Sequence, residues 1–214
     1  MTDRQVSAAG DRLNALLGQA GLPVLAQELV IRFEAYLALI LRWNARTNLT
    51  AIRSEEGILT RHFVESIVCA RAVPPGTHTL LDFGSGAGFP GIPIALCRPE
   101  IAVTLAESQS KKAAFLHEAI RVLGIRVSVH EDRAESLGAP FDCVTMRAVD
   151  RMEKAVPIAA RLVSPGGSLV LMATRGDSLA LKAAAGVAFL WIPAIELPFG
   201  ADRLIEMGVH PAGS

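Results

Sequence analysis

Charge of one sign is what this sequence lacks: 21 lysines and arginines stand against 21 aspartates and glutamates, a formal net charge of zero. General attraction to a polyanion is thereby excluded, and any contact with nucleic acid must come from local patches. Cysteine is scarce too. Cys69, Cys97 and Cys143 are far apart and form no CxxC pair, which excludes a disulfide framework and a zinc ribbon and predicts reduced, mostly buried thiols and no metal site. The longest apolar runs are too short to span a membrane, and charges recur through residues 1–20. A soluble, cytoplasmic monomer without a signal peptide is expected.

What is present is a 214-residue chain that is 51% hydrophobic, enough for one domain of ordinary core size with a small extension. Leu13, Leu16 and Leu17 predict a first helix over Ser7–Ala20. A longer one over Val24–Asn44 carries Leu25, Leu29, Phe33, Tyr36, Leu37, Ile40 and Leu41 on one stripe. Ser54 followed by Glu55 and Glu56 predicts an N-cap and a third helix running to about Ala72, with Arg61, His62 and Glu65 on it. Pro74, Pro75 and Gly76 then mark the clearest boundary. Residues 1–75 read as a helical extension packed on a second unit, 76–214, in which strands and helices alternate. Two late strands, near Val187–Ile195 and Arg203–Met207, predict an α/β, mostly parallel sheet with an antiparallel edge hairpin.

The stretch Thr79–Pro93, TLLDFGSGAGFPGIP, reads as strand, tight glycine loop and helix start. Gly84, Gly86 and Gly88 allow a sharp turn and close approach of a ligand to the backbone. Gly86, Gly88 and Gly91 also satisfy the G-x-G-x-x-G of dinucleotide sites, so spacing alone leaves NAD open, as it leaves a turn that binds nothing. Asp82, at the strand end, is expected to face the loop's ligand, where it repels a pyrophosphate and attracts a sulfonium. That favours S-adenosylmethionine. The next strand, Ile101–Ala106, ends in Glu107, placed to accept from both hydroxyls of a ribose in either ligand class.

Farther on, a polar loop, Glu131–Glu135, follows the third strand, where an adenine ring is expected. Arg147 ends the fourth strand and is suited to a carboxylate or phosphate; the alternative is an exposed ion pair with Asp150 or Glu153. Asn44 and Asn48 share a helix face by spacing, and on spacing alone capping or solvation is the better account of both.

The segments WNARTNLT (Trp43–Thr50), RHFVES (Arg61–Ser66), DFGSGAGFPGIP (Asp82–Pro93), RPE (Arg98–Glu100), ES-x-x-KK (Glu107–Lys112) and Arg147-Ala148 occur in an order that resembles the RsmG (GidB) family. These are class I S-adenosylmethionine-dependent methyltransferases acting on guanine N7 of small-subunit (16S) ribosomal RNA. The resemblance implies a Rossmann-like sheet with an N-terminal helical extension. It also implies a cofactor site of Asp82, Gly84, Gly86, Gly88, Phe89, Glu107, Ala134, Glu135 and Arg147, and RNA contacts from Asn44, Asn48, Arg61, His62, Lys111 and Arg175. Two departures stand out: Glu65 where the family usually has aspartate, and Thr174-Arg175-Gly176 where it has a lysine-glycine pair. No acid or base catalyst is expected, because guanine N7 carries a free lone pair. Two other functions remain open from the sequence: a nicotinamide-dependent oxidoreductase, and a non-catalytic RNA-binding assembly factor of the ribosome.

Overall fold

The structure is a computed structural model that describes residues 8–149, 151–200 and 202–212. Its sheet is organised around β1 (Thr79–Phe83), flanked by β2 (Ala102–Ala106) and β3 (Val127–His130) on one side. On the other lie β4 (Phe141–Arg147), β5 (Val163–Thr174) and β8 (Arg203–Val209), with the two-residue strands β6 (Leu190–Trp191) and β7 (Ile195–Glu196) beyond. The order is β3-β2-β1-β4-β5-β8-β6; pairs up to β5 are parallel, and β8 runs antiparallel to β5. Chain direction therefore reverses its progress between β1 and β4, and a crevice opens there at the carboxyl ends.

Strand side chains alternate between two cores. Leu80, Cys143 and Val170 face one, whereas Leu81, Val144, Leu169 and Leu171 face the other. Burial on both faces explains why these strands read as continuous apolar runs. The first core is covered by α1 (Ala8–Gln19), α2 (Gln27–Asn44), α5 (Gly91–Cys97) and α6 (Ser110–Leu123). The second is covered by α7 (Met152–Arg161) and α8 (Arg175–Ala185). Ser7, expected to open the first helix, lies outside the described residues. The N-terminal helices share one apolar cluster with β1, β2 and α6.

Two elements differ from expectation. The helix after Ser54 is not uniform: α3 (Glu55–Gly57) passes into a π-helical stretch, Ile58–Val64, before α4 (Glu65–Ala72) resumes regular geometry. A π-turn accommodates an extra residue, and hydrophobic spacing alone does not register it. The strand expected over Val187–Ile195 is broken around Pro193, which has no N–H to pair; β6 and β7 are its remnants. Both pair with β8, so the final strand is interior to the hairpin and hydrogen-bonds to β5.

Candidate functional site

The crevice at the carboxyl ends of β1 and β4 holds two cavities of about 540 and 610 Å³ that share Gly84, Lys112 and Ala148 as common wall. Ala148 takes a left-handed backbone (φ +48°) immediately after β4, the kind of strain found at functional sites.

The larger cavity is lined by Glu107, Ala134 and Glu135 among others, so three residues expected around an adenosine are brought together. Glu107 is 6% exposed. Its Oε2 accepts from Gly86 N–H at 2.9 Å and its Oε1 from Gln109 N–H at 2.8 Å. A carboxylate offers about four lone-pair sites, so two remain for a ligand. Glu107 thus fixes the glycine loop as well as facing the cavity.

Asp82 behaves otherwise than expected. It does not face the loop's ligand: it is 1% exposed, and neither cavity is lined by it. Its Oδ2 accepts from Gly91 N–H at 3.1 Å and its Oδ1 from Thr145 Oγ1 at 3.1 Å, tying β1 to α5 and β4. Burial pushes its pKa up to about 6, against the lowering effect of those hydrogen bonds. Gly91 is required for this packing, since a Cβ there would lie 2.7 Å from Asp82 Oδ2. Gly88 (φ +87°) lines neither cavity either; a Cβ would meet the Tyr36 hydroxyl at 2.7 Å, and that hydroxyl donates to the Ala87 carbonyl at 2.5 Å. Through Tyr36, helix α2 holds the loop from behind.

The smaller cavity is walled by Arg61, His62, Glu65, Phe89, Arg147 and Arg203, with the loop Leu49–Ile52 opposite. Glu65 is 1% exposed and serves three guanidiniums: Arg203 Nη2 at 2.5 Å, Arg147 Nη2 at 3.3 Å and Arg61 Nε at 3.3 Å. Arg147 Nη2 also donates to the Arg61 carbonyl at 2.5 Å, while its Nη1 is buried without a partner. Burial lowers the Arg147 pKa, with Glu65 opposing. One carboxylate among three cations leaves a positive excess, and the unpartnered N–H marks where an anion is wanted. Of the two ion-pair partners weighed for Arg147, Asp150 lies outside the described residues; among the described residues the counter-charge is Glu65 rather than Glu153.

His62 stacks on Phe89 (centroids 4.4 Å apart, planes at 15°), and its Nε2 lies 2.8 Å from Thr50 Oγ1. Burial, then Arg147 and Arg61, push its pKa down to about 3, so the ring is neutral at physiological pH.

Four residues expected at the RNA face lie outside both cavities. Asn44 is buried, with Oδ1 accepting from Thr50 N–H and Nδ2 donating to the Ile52 carbonyl, so it shapes the loop that lines the cleft. Asn48 is exposed and accepts from Arg53. Lys111 points to solvent, and its neighbour Lys112 lines both cavities. Arg175 opens α8 and pairs with Glu196 at 2.5 Å in solvent. Conversely, sequence reasoning missed Arg203 and the role of Glu65. A charged residue at the start of the interior strand β8 was the available signal.

Similarity to solved structures is consistent with this architecture. A methyltransferase from Pyrococcus furiosus superposes with a TM-score of 0.62 over 84% of this chain and 98% of its own, at 15% identity. A predicted O-methyltransferase from Agrobacterium tumefaciens does so with 0.58 over 68% and 80%, at 21% identity. The fold is therefore that of the class I methyltransferases. Residues 30–186 match the family described as rRNA small subunit methyltransferase G (GidB), and the chain belongs to that family. Relatives named ribosomal RNA small subunit methyltransferase G are 44% identical in Xanthomonas oryzae pv. oryzae (strain KACC10331 / KXO85), over 69% of this chain and 72% of theirs. The same name and identity occur in Roseiflexus sp. (strain RS-1), over 67% and 68%. This membership does not favour the oxidoreductase or the non-catalytic assembly factor.

Proposed function

We propose that this protein transfers a methyl group from S-adenosylmethionine to N7 of a guanine in small-subunit (16S) ribosomal RNA, as a cytoplasmic monomer. The observation that carries this is the junction of two unlike cavities over Gly84, Lys112 and Ala148: one with a carboxylate suited to a ribose, the other with arginines suited to anions. S-adenosylmethionine, when bound, supplies a methyl group made electrophilic by its sulfonium.

Glu107 accepts from the ribose hydroxyls with its two remaining lone-pair sites, and Ala134 and Glu135 flank the adenine. Arg147 Nη1 takes the methionine carboxylate, and Phe89 lies beneath its guanidinium at 6.0 Å. Arg61, Arg203 and Lys112 hold the RNA backbone at the mouth, where local positive charge offsets a neutral whole. Transfer to N7 needs no general base, so these residues act by alignment and by excluding water. The target base is unpaired or extruded from its stack to enter.

Purified protein, labelled S-adenosylmethionine and small subunits lacking the modification test this directly. The expected product after nuclease digestion is 7-methylguanosine at one position. No transfer, or methylation of another atom, overturns the proposal.

A further inference from the structure

His62 is buried at 9% exposure in the cleft wall, yet its Nδ1 has no hydrogen-bond partner. The other ring nitrogen bears on what that atom is. Thr50 Oγ1 accepts from Ile52 N–H at 3.2 Å and lies 2.8 Å from His62 Nε2. In the tautomer whose Nε2 accepts the Thr50 proton, the neutral ring carries its own proton on Nδ1, a donor with nothing to donate to. Leaving such a donor buried costs free energy, which a substrate acceptor would recover.

We propose that His62 is the specificity-determining residue of this cleft, its Nδ1–H donating to O6 of the target guanine while N7 faces the methyl group. This rests on the reading above that the acceptor is guanine N7. O6 and N7 are adjacent on one edge of guanine, so a donor at O6 orients N7 without covering its lone pair. Adenine presents an amino group at that place, and two N–H donors would oppose each other. A neutral donor suits the chemistry better than an arginine does, because methylation leaves the purine ring cationic. The Phe89 stack and the Thr50 bond hold the imidazole in plane for this contact.

The test compares wild type, His62→Phe and His62→Asn in single-turnover methyl transfer to small subunits lacking the modification, with calorimetric titration of S-adenosylmethionine into each. Phenylalanine keeps the stack and removes the donor; asparagine keeps an amide N–H close to the Nδ1 position. His62→Phe is expected to lose about 10- to 100-fold in rate at unchanged cofactor affinity, and His62→Asn, which regains the donor without the stack or the Thr50 bond, to recover part of it. Target RNA carrying 2-aminopurine, which keeps N7 and lacks O6, is expected to slow wild type to the His62→Phe level and to slow His62→Phe no further. Four results would overturn the proposal: His62→Phe within threefold of wild type, a parallel loss of cofactor affinity, no recovery with asparagine, or a further loss of His62→Phe on the analogue. Absence of transfer by wild type would instead overturn the guanine reading beneath it.

Discussion

On the Glu107 side of the cleft the carboxylate already accepts two backbone N–H groups, whereas on the Arg147 side a single carboxylate, Glu65, is divided among three guanidiniums and Arg147 Nη1 is left unpartnered. In the proposed function, hydroxyls complete the first half and anions complete the second. Preorganisation on one side and unmet donors on the other suit the proposed division, in which the Glu107 half takes the nucleoside of the cofactor and the arginine half takes its carboxylate and the RNA phosphates.

The difference can be broken most severely at Glu65. Glu65→Gln leaves three cations around a buried neutral amide, and a stability loss of about 3–5 kcal/mol is expected in urea unfolding. A loss below about 1 kcal/mol would mean that the arginines relax into solvent. Next in size, Glu107→Ala frees Gly86 and Gln109 N–H and removes the acceptor proposed for the ribose, so calorimetry should show cofactor affinity falling about 100-fold.

Two buried titratable groups sharpen the contrast by pH. The His62 pKa is pushed down to about 3, so as pH falls from about 6.5 towards 3 the unfolded chain takes a proton that the folded one refuses, and stability is lost. The Asp82 pKa is pushed up to about 6, so its contribution is fully present below about 4 and is lost as pH rises through 6. His62→Phe removes the first effect and keeps the second. Its stability should therefore fall less between pH 6 and pH 4.5 than that of wild type, by up to about 1.4 kcal/mol per pH unit.

Smaller effects are expected outside the cleft wall. Tyr36→Phe removes the hydroxyl that holds Ala87 from behind, costing about 1 kcal/mol of stability by thermal unfolding and a few-fold in cofactor affinity. Arg175→Ala breaks an exposed pair with Glu196 and should change stability by less than about 0.5 kcal/mol.

The positions of the glycine loop and Glu107 were legible in the sequence because each follows a strand that the α/β alternation sets, whereas the pair Ala134-Glu135, in a short 3-10 turn beyond β3, was singled out only by the family resemblance. The Arg147 side was not legible in full. Glu65 and Arg203 are far apart in the chain, and their pairing depends on β8 inserting beside β5, which hydrophobic pattern does not encode. Asp82 was misplaced for a related reason: the strand end was correct, but its carboxylate is drawn inward by Gly91 and Thr145. At Asn44 and Asn48 the spacing was compatible with turn formation, and each hydrogen-bonds within the segment from residue 44 to residue 53.

The division of the cleft is tested most directly by calorimetric titration of S-adenosylmethionine and of 5′-methylthioadenosine, which lacks the amino-acid carboxylate, into wild type and Arg147→Gln. Arg147→Gln should weaken S-adenosylmethionine about tenfold or more and leave 5′-methylthioadenosine unchanged. Equal weakening of both, or of neither, would contradict the assignment of the two halves.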